Sequence, residues 1–184
     1  MKSLLLPLMF VATSSASAQM AAPNDAPAAN VAVNAAKVRW LTLTGFIQKA
    51  AEQMPESDYS FRPTPEVRSF GQLIGHLAGA QNLICAAALT EPSKAEDDIE
   101  KNVTAKAGLV AAFKASTEYC ARAYAQTDAT SAGSTKLFGN ETTRLGALIQ
   151  NAVHDGEHYG NIVTYMRIKG MIPPSSQQPP PPGR

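Results

Sequence analysis

Apolar residues recur three and four positions apart in four stretches of the chain, the spacing that keeps one side of a helix dry. In the first stretch, residues 30–54, the stripe is Trp40, Leu43, Ile47, Ala51 and Met54, and Pro55 ends it. The second opens at Ser69, where Ser69 and Gln72 match an S-x-x-Q capping box, and carries Leu73, Leu77, Ala80, Ile84 and Ala87. The third, about 104–125, carries Leu109, Phe113, Ser116, Cys120 and Tyr124. The fourth is expected to start at Asn140 as N-cap, with Glu141 in the first turn, where the helix dipole favours negative charge. It runs to Lys169, with Gly170 and Pro173-Pro174 as the stop, and would span roughly 43 Å. No segment alternates convincingly as a strand. Four long helices without strands predict an all-α four-helix bundle.

The connections carry fewer signals. In PESDYSFRPTPEV, Pro63 and Pro65 block a regular helix, so an extended linker is expected with Tyr59 and Phe61 tucked under the bundle. EPSKAEDDIEKNV is charged and reads as a solvated loop. TDATSAGSTKLFG is rich in turn formers and reads as a connector, with a substrate-facing lid as the alternative. Gly71, Gly75 and Gly79 fall every four residues around His76. Each costs about 1 kcal/mol of helix stability relative to alanine, so they point to tight packing, a closely approaching helix, or room for a ligand.

The ends divide the 184 residues further. Residues 1–18, MKSLLLPLMFVATSSASA, have the pattern of a secretory signal: Lys2, an apolar run from Leu4 to Ala12, and a small-x-small site at Ala16-Ser17-Ala18. The run is too short to span a bilayer. Residues 19–29 read as a flexible leader, 30–172 as one bundle domain, and 173–184 as a Pro-rich disordered tail. An exported protein, periplasmic or extracellular, is therefore expected, with no membrane span after cleavage. Loss of Lys2 takes the formal charge from +1 to 0. That balance, with no basic stripe, argues against a nucleic-acid partner. Export permits a disulfide. Cys85 and Cys120 are the only cysteines and form either one bridge, adding roughly 4 kcal/mol, or two buried thiols.

The candidate chemistry lies in the histidines, of which the chain has three. His154 and His158 stand four apart, on one face of the fourth helix, and His76 sits beside the stripe of the second. Three imidazoles converging inside a bundle can hold one metal ion and leave a coordination position open, as catalytic sites do. Core histidines with ordinary hydrogen bonds are the alternative. The string His154-Asp155-Gly156-Glu157-His158 also spells H-x-x-E-H, an inverzincin pattern, but no acidic residue follows His158 to complete that ligand set. Asn151 and Tyr165 share the histidine face and could orient a ligand or water, or serve in packing. Neutral imidazole is required for metal, so affinity is expected to fall as pH drops through about 6.5.

FGQLIGHLAGAQNLIC, followed by TKLFGNETTRLGALIQNAVHDGEHYGNIVTYMRIKGMIPPSS, resembles the DinB-like (DinB/YfiT) family over about residues 31–175. The resemblance implies an up-down-down-up four-helix bundle. It implies His76, His154 and His158 as ligands of one divalent ion, which across the family is zinc, nickel, iron or manganese. It implies a small-molecule substrate and allows a homodimer. Characterised relatives include metal-dependent thiol S-transferases and the maleylpyruvate isomerase class. The expected function is a metal-dependent thiol transfer or small-molecule hydrolysis, with a non-catalytic metal- or small-molecule-binding stress protein as the alternative.

Overall fold

The computed structural model describes residues 29–177. Residues 1–28, expected to be a signal segment and most of a leader, and residues 178–184 of the expected tail lie outside the described residues. Within them, the chain runs α1 (Val31–Gln53), α2 (Phe70–Leu89), α3 (Asp98–Asn102), α4 (Lys106–Ala123), α5 (Asp128–Ser131), β1 (Ser134–Leu137), β2 (Asn140–Thr143) and α6 (Arg144–Ile168). The four long helices are the four apolar stripes. Trp40, Ile47, Ala51, Met54, Leu109, Phe113, Cys120 and Tyr124 are all buried to 1% exposure or less.

Residue pairings give the directions. On α2 and α4, Gly71 faces Leu109, Gln81 bonds Ser116 and Cys85 is bridged to Cys120, so the two run parallel. Trp40 of α1 bonds Gln81, and Tyr59, just beyond the end of α1, packs on Phe70, so α1 and α2 are antiparallel. On α6, Gly156 meets Leu43 and Tyr159 stacks on Phe46, which sets α6 parallel to α1. The order is up-down-down-up, as the family resemblance implies. A parallel α2–α4 pair needs a long return, and residues 90–105 supply it. The predicted capping box is present: the Gln72 amide N–H donates to Ser69 Oγ and the Ser69 N–H to Gln72 Oε1.

Two buried clusters fill the bundle. One gathers Met54, Tyr59, Phe70, Leu77, Phe113, Ile162 and Met166, and the other Trp40, Ile84, Cys120, Tyr124 and Leu148. Trp40 Nε1 donates to Gln81 Oε1 (2.9 Å), and Gln81 Nε2 donates to Ser116 Oγ (3.2 Å), tying α1, α2 and α4 through one satisfied polar network. Cys85 and Cys120 form the bridge rather than two thiols.

Several expectations change. The fourth helix begins at Arg144 rather than Asn140. Residues 134–143 instead form an antiparallel hairpin, Ser134 opposite Thr143, turning at Phe138 (φ 51°) and Gly139 (φ 80°). Positive φ at both central residues is the type I′ requirement. Phe at the first of them gives no sequence signal, since a bulky residue seldom adopts φ > 0. Thr143 takes the N-cap, accepting from Gly146 N at 2.9 Å. The charged return is not all loop, because Asp98–Asn102 is helical. The start of the expected disordered tail is held in place: Pro173 and Pro174 are buried, and the Ser175 N–H donates to Tyr159 Oη at 2.9 Å. At the start of α1, the Asp128 carboxylate accepts from Ala32 N and Val33 N at 3.1 and 2.9 Å, capping that helix from α5. No described helix is long and apolar enough to cross a membrane.

Candidate metal centre

His76 comes from the middle of α2, and His154 and His158 from one face of α6, which runs antiparallel beside it. The Nε2 atoms of His76 and His154 are 3.1 Å apart, those of His76 and His158 3.1 Å, and those of His154 and His158 3.0 Å. The rings meet edge to face, with centroids 4.4–5.1 Å apart. A neutral imidazole has one N–H, so three Nε2 atoms in a near-equilateral triangle cannot all satisfy one another. Nitrogens about 2.0–2.1 Å from a common ion stand about 3 Å apart when the angle between them is close to a right angle. The triangle therefore fits three ligands capping one face of a single ion, and the three histidines together could hold a metal.

The other ring nitrogens lie in different surroundings. His158 Nδ1 is 3.3 Å from the Asn161 side-chain amide. His154 Nδ1 is buried with no partner. His76 Nδ1 faces Glu96 Oε1 at 3.6 Å and Glu100 Oε2 at 3.8 Å.

The sequence model of the DinB superfamily matches residues 47–162, a span holding all three histidines. The chain belongs to the DinB superfamily. Its fold is similar to a DinB-like protein from Bacillus cereus ATCC 10987, with TM-score 0.67 at 17% identity, covering 77% of this chain and 95% of that one. It is similar to a structure described as a DinB family member from Exiguobacterium sibiricum 255-15, with TM-score 0.60 at 19% identity, covering 76% and 93%. It is also similar to the mycothiol-dependent maleylpyruvate isomerase, with TM-score 0.58 at 13% identity, covering 72% of this chain and 65% of that one. No curated protein matches.

In this DinB bundle, burial keeps the imidazoles neutral. Desolvation, aided by the nearby Arg68 charge and the neighbouring rings, pushes His76 down to about 3. Desolvation also pushes His154 down to about 4, aided by His158 and Arg68. His158 is lowered by desolvation too, against the opposing pull of Glu157. For His76 and His154 the protonation window thus lies well below the 6.5 expected for free imidazole. The contacts of His76 with the two glutamates are accordingly those of a neutral ring and not ion pairs.

A cleft of about 530 Å3 opens beside the triangle, walled by His158, Arg68, Leu73, Glu100, Asn161 and Tyr165 among others. A larger cleft of about 780 Å3 shares Arg68 and Glu100, but no histidine lines it. The chemistry favours the smaller one. Arg68 Nε donates to both Glu100 oxygens at 3.0 and 3.1 Å, closing the partition between the two clefts.

The remaining candidates separate. Glu157 is exposed, as expected of a residue outside any ligand set. Asn151 is fully buried and donates to Tyr124 Oη at 3.3 Å, and Tyr165 donates to the Arg68 carbonyl at 2.6 Å. Asn151 therefore serves the core, while Tyr165 is anchored to the backbone at the cleft wall. The TDATSAGSTKLFG segment is no lid. Thr135 Oγ1 donates to Ala87 O at 2.7 Å, eleven residues along α2 from His76, or about 16 Å away. The sequence reading missed Glu96 and Glu100. The signal available was the glycine ladder: a Cβ on Gly79 would overlap the Glu96 carbonyl, and one on Gly75 would come within 2.8 Å of Glu100 Cα. It also missed Asp155, which is fully buried with neither carboxylate oxygen partnered.

Proposed function

We propose that this protein is an exported enzyme that uses one divalent ion, held by His76, His154 and His158, to act on a small molecule in the 530 Å3 cleft. The observation that carries this reading is the Nε2 triangle with edges of 3.0–3.1 Å. Imidazole donors suit zinc, nickel or iron, and manganese is the harder alternative. When bound, the ion supplies Lewis acidity, which lowers the pKa of a thiol or water. The chain's own residues do the rest. The three rings cap one face and leave the cleft side free. Leu73 and the Tyr165 ring give that side an apolar wall, and the Asn161 amide and Arg68 offer donors to a polar substrate.

The reaction class follows from the sulfurs. Both cysteines are in the bridge, so a thiol nucleophile would have to arrive as substrate. Thiol transfer to an electrophile is the leading assignment, supported by the similarity in fold to the mycothiol-dependent maleylpyruvate isomerase. Small-molecule hydrolysis is the second. Export is supported by the signal pattern of residues 1–18 and by the bridge, which persists in oxidising compartments.

The test uses the mature protein purified without a His tag. Elemental analysis and equilibrium dialysis should find one divalent ion per chain, lost in His76→Ala, His154→Ala and His158→Ala. A panel of thiol–electrophile pairs and esters should show turnover that chelation abolishes. Metal bound without chelator-sensitive turnover would favour the non-catalytic binding protein. A wild-type protein that takes up no divalent ion would refute the centre itself.

A further inference from the structure

Resting on the metal reading above, we propose that Glu96 and Glu100 are positioning residues for the centre: they hold His76 with its proton on Nδ1 and offset the charge of the ion from behind the ring.

The argument starts at the glycines. His76 lies between Gly75 and Gly79 on α2, and the return segment crosses that strip of bare backbone. With Cβ atoms absent, Glu96 O sits where a Gly79 side chain would be, and Glu100 Cα sits 2.8 Å from where a Gly75 Cβ would be. A five-residue helix such as α3 has little stability of its own, so its place depends on this close fit and on side-chain ties. One tie is the pair of Arg68 Nε contacts to Glu100, at 3.0 and 3.1 Å. The result is two carboxylates within 4 Å of one imidazole nitrogen, at 3.6 and 3.8 Å.

The chemistry of the ring gives the placement its meaning. If Nε2 serves the ion, the single proton of neutral His76 must reside on Nδ1, where it faces these oxygens. A carboxylate behind a ligating imidazole fixes tautomer and ring angle and makes the ligand more basic. Small rotations of the Glu96 side chain bring 3.6 Å into hydrogen-bond range. The two glutamates are not equivalent. Glu100 is neutralised in part by Arg68, whereas Glu96 meets no Lys or Arg among the described residues and faces only the neutral His76 ring. Glu96 therefore carries the larger effect, and Glu100 anchors the segment. His154 Nδ1 lacks a partner and His158 Nδ1 meets only an amide, so of the three Nδ1 atoms only that of His76 faces carboxylates within 4 Å.

Zinc affinity is measured by equilibrium dialysis on the mature protein, wild type beside Glu96→Gln, Glu100→Gln and the double variant, with the exposed Glu118→Gln as control. Imidazole 15N spectra of the zinc-loaded protein report which nitrogen of His76 carries the proton. The double variant should bind about 10–100-fold more weakly, with Glu96→Gln accounting for most of the loss and Glu118→Gln unchanged. The His76 Nδ1 proton resonance should move upfield in Glu96→Gln. Gly79→Ala, which displaces Glu96 without touching a ligand, should weaken zinc binding in the same direction. Should that variant fail to fold, the glutamine variants alone decide. Double-variant affinity within twofold of wild type would overturn the proposal while leaving the three-histidine centre standing. A wild type that binds no zinc would overturn both.

Discussion

Removing the Cys85–Cys120 bridge tests the packing of α2 against α4, the pair that sets the height of His76 in the bundle. The perturbation is Cys85→Ala/Cys120→Ala. The bridge joins residues separated by 35 positions, and a loop of that size accounts for about 4 kcal/mol in the chain-entropy account. Both sulfurs are fully buried, so their loss adds about 1 kcal/mol each in vacated contacts. The sum, about 6 kcal/mol, is a large share of the 5–15 kcal/mol typical of a domain. At about 2–4 °C per kcal/mol for a chain of this size, Tm should fall by about 12–24 °C. Thermal unfolding followed by circular dichroism, on the protein with and without reductant, reads the effect. Reductant should lower the wild-type Tm toward that of the variant and leave the variant unmoved. A variant melting within about 2 °C of oxidised wild type would refute the reasoning, as would two titratable thiols in unfolded, unreduced wild type.

Further outcomes are expected from the site and the core. Three free imidazoles would lose about a thousandfold in metal affinity between pH 7.5 and 5.5, at tenfold each. With His76 and His154 lowered to about 3 and 4, equilibrium dialysis should instead find no more than about a tenfold loss. The same depressed values mean that the folded apo protein binds fewer protons than the unfolded chain below pH 6.5. Its histidine-linked stability is thus present above that pH and lost as pH falls toward 4, measurable by denaturant titration. Burial holds the Asp155 carboxyl well above the usual carboxylate range, so its contribution has the opposite sign: stability is lost as pH rises above about 4. Asp155→Asn should stabilise the apo protein by about 1–3 kcal/mol at pH 7 and by little at pH 3. Thr143→Ala removes the α6 N-cap and should cost about 1 kcal/mol by the same assay.

The long helices were legible because their signals are local. Trp40 through Met54, and Leu109 through Tyr124, each mark one dry face by spacing alone. Ser69 and Gln72 meet because three residues of helix place them together. The hairpin was not legible, since Phe138 stands where Asn, Asp or Gly would announce a type I′ loop before Gly139, and Asn140 and Glu141 imitate a helix start. The burial of Pro173 and Pro174 was hidden by a composition that resembles disorder.

The sequence by itself determined four amphipathic helices, a bridge or pair of thiols, and two histidines on one face, because each follows from residue spacing along a single chain direction. Only the tertiary structure decided that His76 meets His154 across 78 residues, and that Glu96 and Glu100 stand behind it. Those contacts depend on how α2, α6 and the return segment approach one another. That approach is set by which backbones carry no Cβ and which side chains fill the gaps; the glycines of α2 recur every four residues, but what lies against them does not show in the sequence.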